Sequence, residues 1–190
     1  MLKNFTNVYY SKVDNLDVEK VISFLPKARV EKINRLEDEH AQKLSAGVHL
    51  LLINSLRELG IKADDYEYKY DSNGKPILER CPLYFSLSHS GDYVSVAISD
   101  TPVGADIEIM RDVNFDIRRY VFTEKDEQEF KHCKNELICF YEKWTKKEAQ
   151  YKLDGRPFKG DYDDPCYNIK IGENIMLAVA PNKPTEIKEM

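Results

Sequence analysis

Apolar residues along this chain alternate with polar ones in some stretches and recur every three or four positions in others, and the two rhythms take turns. Val8, Tyr9 and Tyr10 mark a strand over 7–13, and Asn15-Leu16-Asp17 caps a short helix over 18–25. After Pro26, Val30, Ile33 and Leu36 repeat at helical spacing, leaving Lys27, Arg29, Lys32 and Arg35 on the wetter side. The clearest helix runs from Asp38 to Leu59. Its apolar stripe is Ala41, Leu44, Val48, Leu51, Leu52, Ser55 and Leu59, and Gly60 stops it.

Tyr66 to Tyr70 alternates as a strand does, and 71–76 is a turn. Two further strands, 84–88 and 93–98, flank His89-Ser90-Gly91-Asp92. Pro102 to Glu108 reads as a strand, followed by a helical stretch over 115–121, a capped helix from Thr123 and a longer helix over 135–152. Strands over 167–171 and 175–180 close the pattern around a turn at Gly172-Glu173-Asn174. Helices packed on small sheets make an α+β protein. Its expected halves are residues 1–101 and 102–190, divided near Ser99-Asp100-Thr101-Pro102.

Composition narrows the classes. Of 190 residues, 42% are hydrophobic and 32% charged, enough for a buried core under a polar surface. The net charge of −5 argues against a general nucleic-acid or anionic-membrane binder, so an anionic ligand needs a local basic site or a metal. Cys81, Cys133, Cys139 and Cys166 form no C-x-x-C pair and have no His at zinc-finger spacing, which leaves disulfide and zinc signals weak. Met1-Leu2-Lys3-Asn4-Phe5 lacks a signal-peptide core, and Leu50 to Ile53, the longest apolar run, is too short to span a membrane. The cytoplasm is the expected address.

Three stretches carry chemistry. On a strand, Asp106 and Glu108 share a face, where like charges repel unless a cation lies between them; a hard divalent ion suits oxygen ligands. A half-exposed strand with a polar face is the plain alternative. On a helix, Glu148 and Lys152 are i, i+4, which fits either a surface ion pair or a carboxylate and an ammonium facing one phosphate site. Ser86-Leu87-Ser88-His89-Ser90-Gly91 lacks the Gly-x-Ser-x-Gly of a nucleophile elbow and suits anion binding, with a hairpin turn as the alternative.

In order, Gly74-Lys75-Pro76, Phe85 to Gly91, Val103 to Glu108 and Trp144-Thr145-Lys146-Lys147-Glu148-Ala149-x-x-Lys152 resemble the 4'-phosphopantetheinyl transferase superfamily. The match is to its surfactin-synthetase-activator type, over roughly residues 20–155. The resemblance implies two similar α+β halves in a pseudo-twofold arrangement with the site between them. It implies that Asp106, Glu108 and Glu148 hold Mg2+, with Mn2+ as an alternative, and that Lys152 meets the coenzyme A pyrophosphate. It places Ser88 and His89 on a coenzyme A phosphate, Lys75 and Pro76 beside the adenine, and Lys43, Arg29 and Lys32 near the 3'-phosphate. Lys147 precedes the glutamate as in the family.

The family's Phe-Phe-x-x-x-Glu appears here as Val121-Phe122-Thr123-Glu124-Lys125-Asp126, with Asp for Glu. The implied reaction transfers 4'-phosphopantetheine from coenzyme A to a serine of an acyl or peptidyl carrier protein. Glu148 is the first candidate for the base and Asp126 the second, with Asp106 and Lys152 completing the catalytic set. Phe115, Arg118, Arg119 and Tyr120 are a candidate carrier-docking patch on an expected monomer, or else an amphipathic helix packed on the sheet. A silent coenzyme A or carrier-binding module and a Mg-dependent nucleotide pyrophosphate hydrolase are the alternatives.

Overall fold

Strand β1 (Thr6–Lys12) lies inside a four-stranded sheet. The computed structural model describes residues 4–72 and 74–190; Met1-Leu2-Lys3 of the expected leaderless start and Asn73 of the expected turn lie outside them. β4 (Tyr84–Ser90) pairs antiparallel with β5 (Tyr93–Ser99), β5 pairs antiparallel with β1, and β9 (Glu186–Glu189) joins β1 in parallel. β5 is buried on both faces, and its sequence shows why. Val94, Val96 and Ile98 pack in the cluster beneath helix α3 (Glu39–Glu58), whereas Ser95, Ala97 and Ser99 are small and lie toward the second sheet.

Helix α3 starts at Asp38, whose carboxylate accepts from the Ala41 N–H at 2.9 Å. Its buried face includes Leu44, Val48, Leu51, Leu52 and Ser55 of the expected stripe, with Ala46 and Leu56 added, while Ala41 and Leu59 at its ends are half-buried. The short helices α1 (Val18–Ile22) and α2 (Lys27–Asn34) pack beside it around Val21, Leu25 and Ile33. A hairpin of β2 (Glu67–Tyr70) and β3 (Pro76–Glu79) stands apart from both sheets.

The second sheet has the order β6 (Gly104–Ile109), β8 (Ile175–Ala180), β7 (Tyr167–Ile171). Helix α6 (Glu136–Asp154) covers it and ends at Gly155, whose φ of 74° is the left-handed cap that glycine adopts freely. α6 lies very close to the sheet because the facing residues are small: Ala149 meets Ala178 and Ala180. A Cβ built on Gly104 would stand 1.9 Å from the Ala149 carbonyl oxygen. The short α4 (Arg118–Val121) and α5 (Glu124–Phe130) close an aromatic cluster of Phe122, Phe130, Phe140 and Tyr141.

Val8 and Ala97 from the first sheet pack with Ala105, Ile107, Leu177 and Val179 from the second, so one core joins them. A row of serine hydroxyls on β4 stitches the seam above that core. The Ala105, Ile107 and Ile109 N–H groups of β6 donate to Ser86, Ser88 and Ser90 Oγ at 3.0, 3.3 and 3.1 Å.

Strands β3 and β9 lack a clear sequence signal, because Pro76-Ile77-Leu78-Glu79 and Glu186-Ile187-Lys188-Glu189 are short and take their register from a partner strand. Cys133 and Cys139 form a disulfide across the α5–α6 connection, Cα–Cα 6.4 Å, despite the weak signal of their spacing. The chain reversal between two helices, which spacing does not record, brings them together. Cys81 and Cys166 are free.

Candidate active site

Alternation along β6 sends Ala105 and Ile107 into the core between the sheets and leaves Asp106 and Glu108 on the other face, toward α6. Asp106 is 3% exposed. Its Oδ1 accepts from the Ser88 hydroxyl at 2.6 Å and from the Lys152 ammonium at 2.6 Å, while Lys152 also donates to Ser88 Oγ at 2.9 Å. Asp106 Oδ2 is buried with no hydrogen-bond partner. Ser90 donates to Glu108 Oε2 in a short bond. Each serine of the seam therefore accepts a β6 backbone N–H, and Ser88 and Ser90 also hold the carboxylates.

Lys152 and Glu148 reach the same space from α6, one turn apart. Among the described residues none hydrogen-bonds the Glu148 carboxylate. Burial pushes the pKa of Glu148 up and the Asp106 charge adds to it, against the pull of Lys152. Burial also raises Glu108, with Asp106 adding; hydrogen bonds from Ser90 and Trp144 and the Lys152 charge oppose it. Three carboxylates thus crowd a region with one ammonium to balance them, an arrangement that favours a further cation.

These side chains line a cavity of about 380 Å³ that continues to a basic end at Arg29 and Lys32. Ser88, His89, Gly74 and Pro76 also border it, together with Tyr68 and Tyr70. Burial and the Lys152 charge hold the His89 pKa below its ordinary value, so the ring is a neutral hydrogen-bonding group at pH 7. The fold thus gathers Asp106, Glu108, Glu148, Lys152, Ser88, His89, Pro76, Arg29 and Lys32.

Three expected residues stand elsewhere. Lys75 turns its ammonium to the end of α6, donating to the Lys152 and Leu153 carbonyls at 2.6 and 3.2 Å; a cation suits a helix C-terminus. Lys43, half-buried on α3, does not line the cavity. Lys147 precedes Glu148 by one residue, about 100° around the helix, and pairs with Asp126 Oδ2 at 2.7 Å beside a different cavity of about 310 Å³. Asp126 also caps α5, accepting from the Thr123 N–H at 3.0 Å, and takes Lys143 at 3.0 Å. Its oxygens are committed to structure away from the carboxylate cavity, which removes it as a base. In the expected docking patch, Phe115 and Arg118 are half-buried, the Arg118 guanidinium lying 4.2 Å from the Phe130 ring centroid, and only Arg119 and Tyr120 face outward.

Sequence reasoning missed the anchoring role of Ser86, Ser88 and Ser90, although their period of two was visible, and the lining residues Tyr68, Tyr70 and His49. Among the described residues, no group of three His, Cys, Asp or Glu side chains forms a ready-made metal cage. Mg2+ needs none: it commonly takes one or two carboxylates and fills its shell with water and phosphate oxygens. The unpartnered Asp106 Oδ2, beside the carboxylates of Glu108 and Glu148, is the hard oxygen chemistry such an ion fits.

A cavity with carboxylates and an ammonium at one end and a guanidinium at the other is built to hold a polyanion. A family model described as the 4'-phosphopantetheinyl transferase superfamily matches residues 102–174, which carry Asp106, Glu108, Glu148 and Lys152. The 4'-phosphopantetheinyl transferase psf-1 of Bacillus pumilus is 30% identical over 139 residues, 71% of this chain and 58% of that protein. Sfp of Bacillus subtilis (strain 168) is 27% identical over 169 residues, 85% of this chain and 73% of its own length. AcpT of Escherichia coli (strain K12) is 39% identical over 131 residues, 62% of this chain and 67% of its own. The chain belongs to the 4'-phosphopantetheinyl transferase superfamily. Among the described residues no helix is long and apolar enough to cross a membrane.

Proposed function

We propose that this chain moves 4'-phosphopantetheine from coenzyme A to a serine hydroxyl of an apo acyl or peptidyl carrier protein and releases adenosine 3',5'-bisphosphate. The serine oxygen bonds to the phosphorus that bears pantetheine, the pyrophosphate P–O bond to the nucleotide breaks, and the serine proton passes to a base. The observation that supports this most is the single cavity with a carboxylate end and a basic end in a member of this superfamily. The relatives' names give the reaction class.

Positioning and charge neutralisation carry such phosphoryl chemistry. Asp106, Glu108 and Glu148 would hold Mg2+ or Mn2+, which when bound neutralises pyrophosphate charge. Lys152 presents an ammonium to the leaving phosphate. Glu148, whose carboxylate accepts no hydrogen bond among the described residues, would take the serine proton. His89 binds phosphate through a neutral ring, and Arg29 and Lys32 receive the phosphate at the far end. Each sheet carries one long helix, which suits two halves, 1–101 and 102–190, related by a pseudo-twofold axis, with β9 returning to the first. The setting proposed is the cytoplasm, and the working unit a monomer.

The test is to incubate the chain with coenzyme A, Mg2+ and an apo carrier protein and to weigh the carrier by mass spectrometry. The carrier should gain one phosphopantetheinyl group, and Asp106→Ala should abolish the gain while keeping the fold. Coenzyme A cleaved with no change in the carrier would show a pyrophosphate hydrolase instead. Binding without turnover would show a silent module.

A further inference from the structure

Arg29 on α2 is 7% exposed, yet among the described residues its hydrogen-bond partners are neutral. Nη1 donates to the Tyr70 hydroxyl at 3.3 Å, and Nη2 donates to Ser45, through its carbonyl at 3.5 Å and its hydroxyl. Nε is buried with no partner. A desolvated guanidinium that pairs with no carboxylate among the described residues is costly, and an incoming anion offsets that cost. Because Arg29 lines the cavity, the anion is a ligand, and a phosphate monoester suits the planar fork.

What fixes the fork is a packed cluster of His49, Tyr68 and Tyr70, tied by hydrogen bonds at its two ends. His49, 3% exposed, faces the Ser45 carbonyl through Nδ1 at 3.0 Å, so Nδ1 carries the proton and donates. Burial and the nearby Arg29 and Lys32 charges push His49 down to about 3, so the ring is neutral and Nε2 can only accept. Tyr68 donates to Nε2 at 2.9 Å, which ties its hydroxyl to the histidine. The two tyrosine rings sit edge to face at 5.6 Å. Tyr70, held by that ring contact, turns its hydroxyl oxygen toward Arg29 Nη1. Lys32 lies 5.3 Å from the Tyr70 ring centroid and adds positive charge on the same side.

We propose that Tyr70, backed by Tyr68 and His49, is a positioning residue that presents Arg29 to a phosphate monoester and so makes the chain select 3'-phosphorylated nucleotides. The 3'-phosphate identity rests on the coenzyme A reading above. The mode of action is orientation: the tyrosines supply no charge and no reacting atom.

Calorimetry tests this with adenosine 3',5'-bisphosphate and adenosine 5'-monophosphate on the wild-type chain, Tyr70→Phe and Tyr68→Phe, each checked by thermal melting. Wild type should prefer the bisphosphate by about tenfold or more, and Tyr70→Phe should remove about five- to tenfold of that preference. Its affinity for the monophosphate should hold. Tyr68→Phe should act in the same direction, and if it fails to fold, Tyr70→Phe, partly exposed at the hairpin end, decides alone. Equal losses for both nucleotides, or no loss, overturn the proposal, as does a wild type without preference. Carrier modification is scored in parallel. A preference that depends on Tyr70 in a chain that fails to modify the carrier removes the coenzyme A reading and leaves the positioning role standing.

Discussion

Gly104→Ala should separate the two sides of the cavity. The added Cβ would lie 1.9 Å from the Ala149 carbonyl oxygen and 2.6 Å from the Leu153 backbone nitrogen, where ordinary contact begins at 3.4 Å. The helix and strand must therefore part by about 3.4 − 1.9, or 1.5 Å, near the contact. Glu148 and Lys152 flank the obstructed turn, so the 2.6 Å bond from Lys152 to Asp106 opens toward 4 Å if the shift is along that line. Misplacing reacting groups by ~1 Å can cost ~10²-fold in rate, and overpacking costs about 1–3 kcal/mol of stability. Transfer from coenzyme A to a carrier, followed by mass spectrometry, should fall about 100-fold in kcat/KM. Urea denaturation should show a folded but weakened protein. Ala149→Gly should give no rescue, because the obstructing atom is main chain. Activity within about threefold of wild type in a fully stable Gly104→Ala protein would refute the close-approach account.

Ser88→Ala should leave Asp106, the Ile107 N–H and Lys152 each short of a partner, costing about 1–3 kcal/mol in urea denaturation and more than ~tenfold in transfer. Ser88→Thr should restore both, and a neutral Ser88→Ala would show that the seam is dispensable. Burial favours protonated Asp126, yet hydrogen bonds from Lys147, the Thr123 backbone and Lys143 hold its pKa down at about 2 against an ordinary 3.8. A folded-state value below the unfolded one stabilises the protein above the unfolded pKa, and that stability is lost as pH falls from about 4 toward 2. Asp126→Asn should therefore cost about 1–2 kcal/mol at pH 7, allowing for solvent screening, and flatten the acid limb; equal stability at pH 7 would sink the ion-pair account. Tyr120→Ala with Arg119→Glu should raise KM for the carrier and leave KM for coenzyme A alone. A change in both or neither places docking elsewhere.

Local periodicity made the centre of the site legible. A period of two assigned Asp106 and Glu108 to one face of β6, and i, i+4 spacing assigned Glu148 and Lys152 to one face of α6. Both pairs meet at the cavity, a meeting that resemblance supplied and spacing did not. The basic residues were the harder part, because a lysine's motif position does not say where four flexible bonds carry its ammonium. Lys75 ends on the carbonyls of α6, and Lys147, one residue from Glu148, ends on Asp126. The substitution of Asp for the family's Glu gains a physical reason in the same contacts. At the third helical position a short carboxylate closes the capping box with Thr123 while Lys143 and Lys147 reach it.

The serine row shows why an anion-binding appearance can conceal a structural joint. β4 and β6 are edge strands of two different sheets, and an edge strand leaves every second N–H unpaired. Serines at 86, 88 and 90 share one face of β4 and place three hydroxyls at the spacing of three such donors. A hydroxyl has one proton and two lone pairs. Ser88 gives its proton to Asp106 and accepts from Ile107 and Lys152, so it has no capacity left for a phosphate. The pattern that looks built for a ligand is consumed by the seam, which leaves His89 and Arg29, both lining the cavity, as the proposed phosphate contacts. Because the hydroxyl that closes the seam also holds Asp106, sheet joining and carboxylate placement are one event. A seam that opened would take the carboxylate end of the cavity with it.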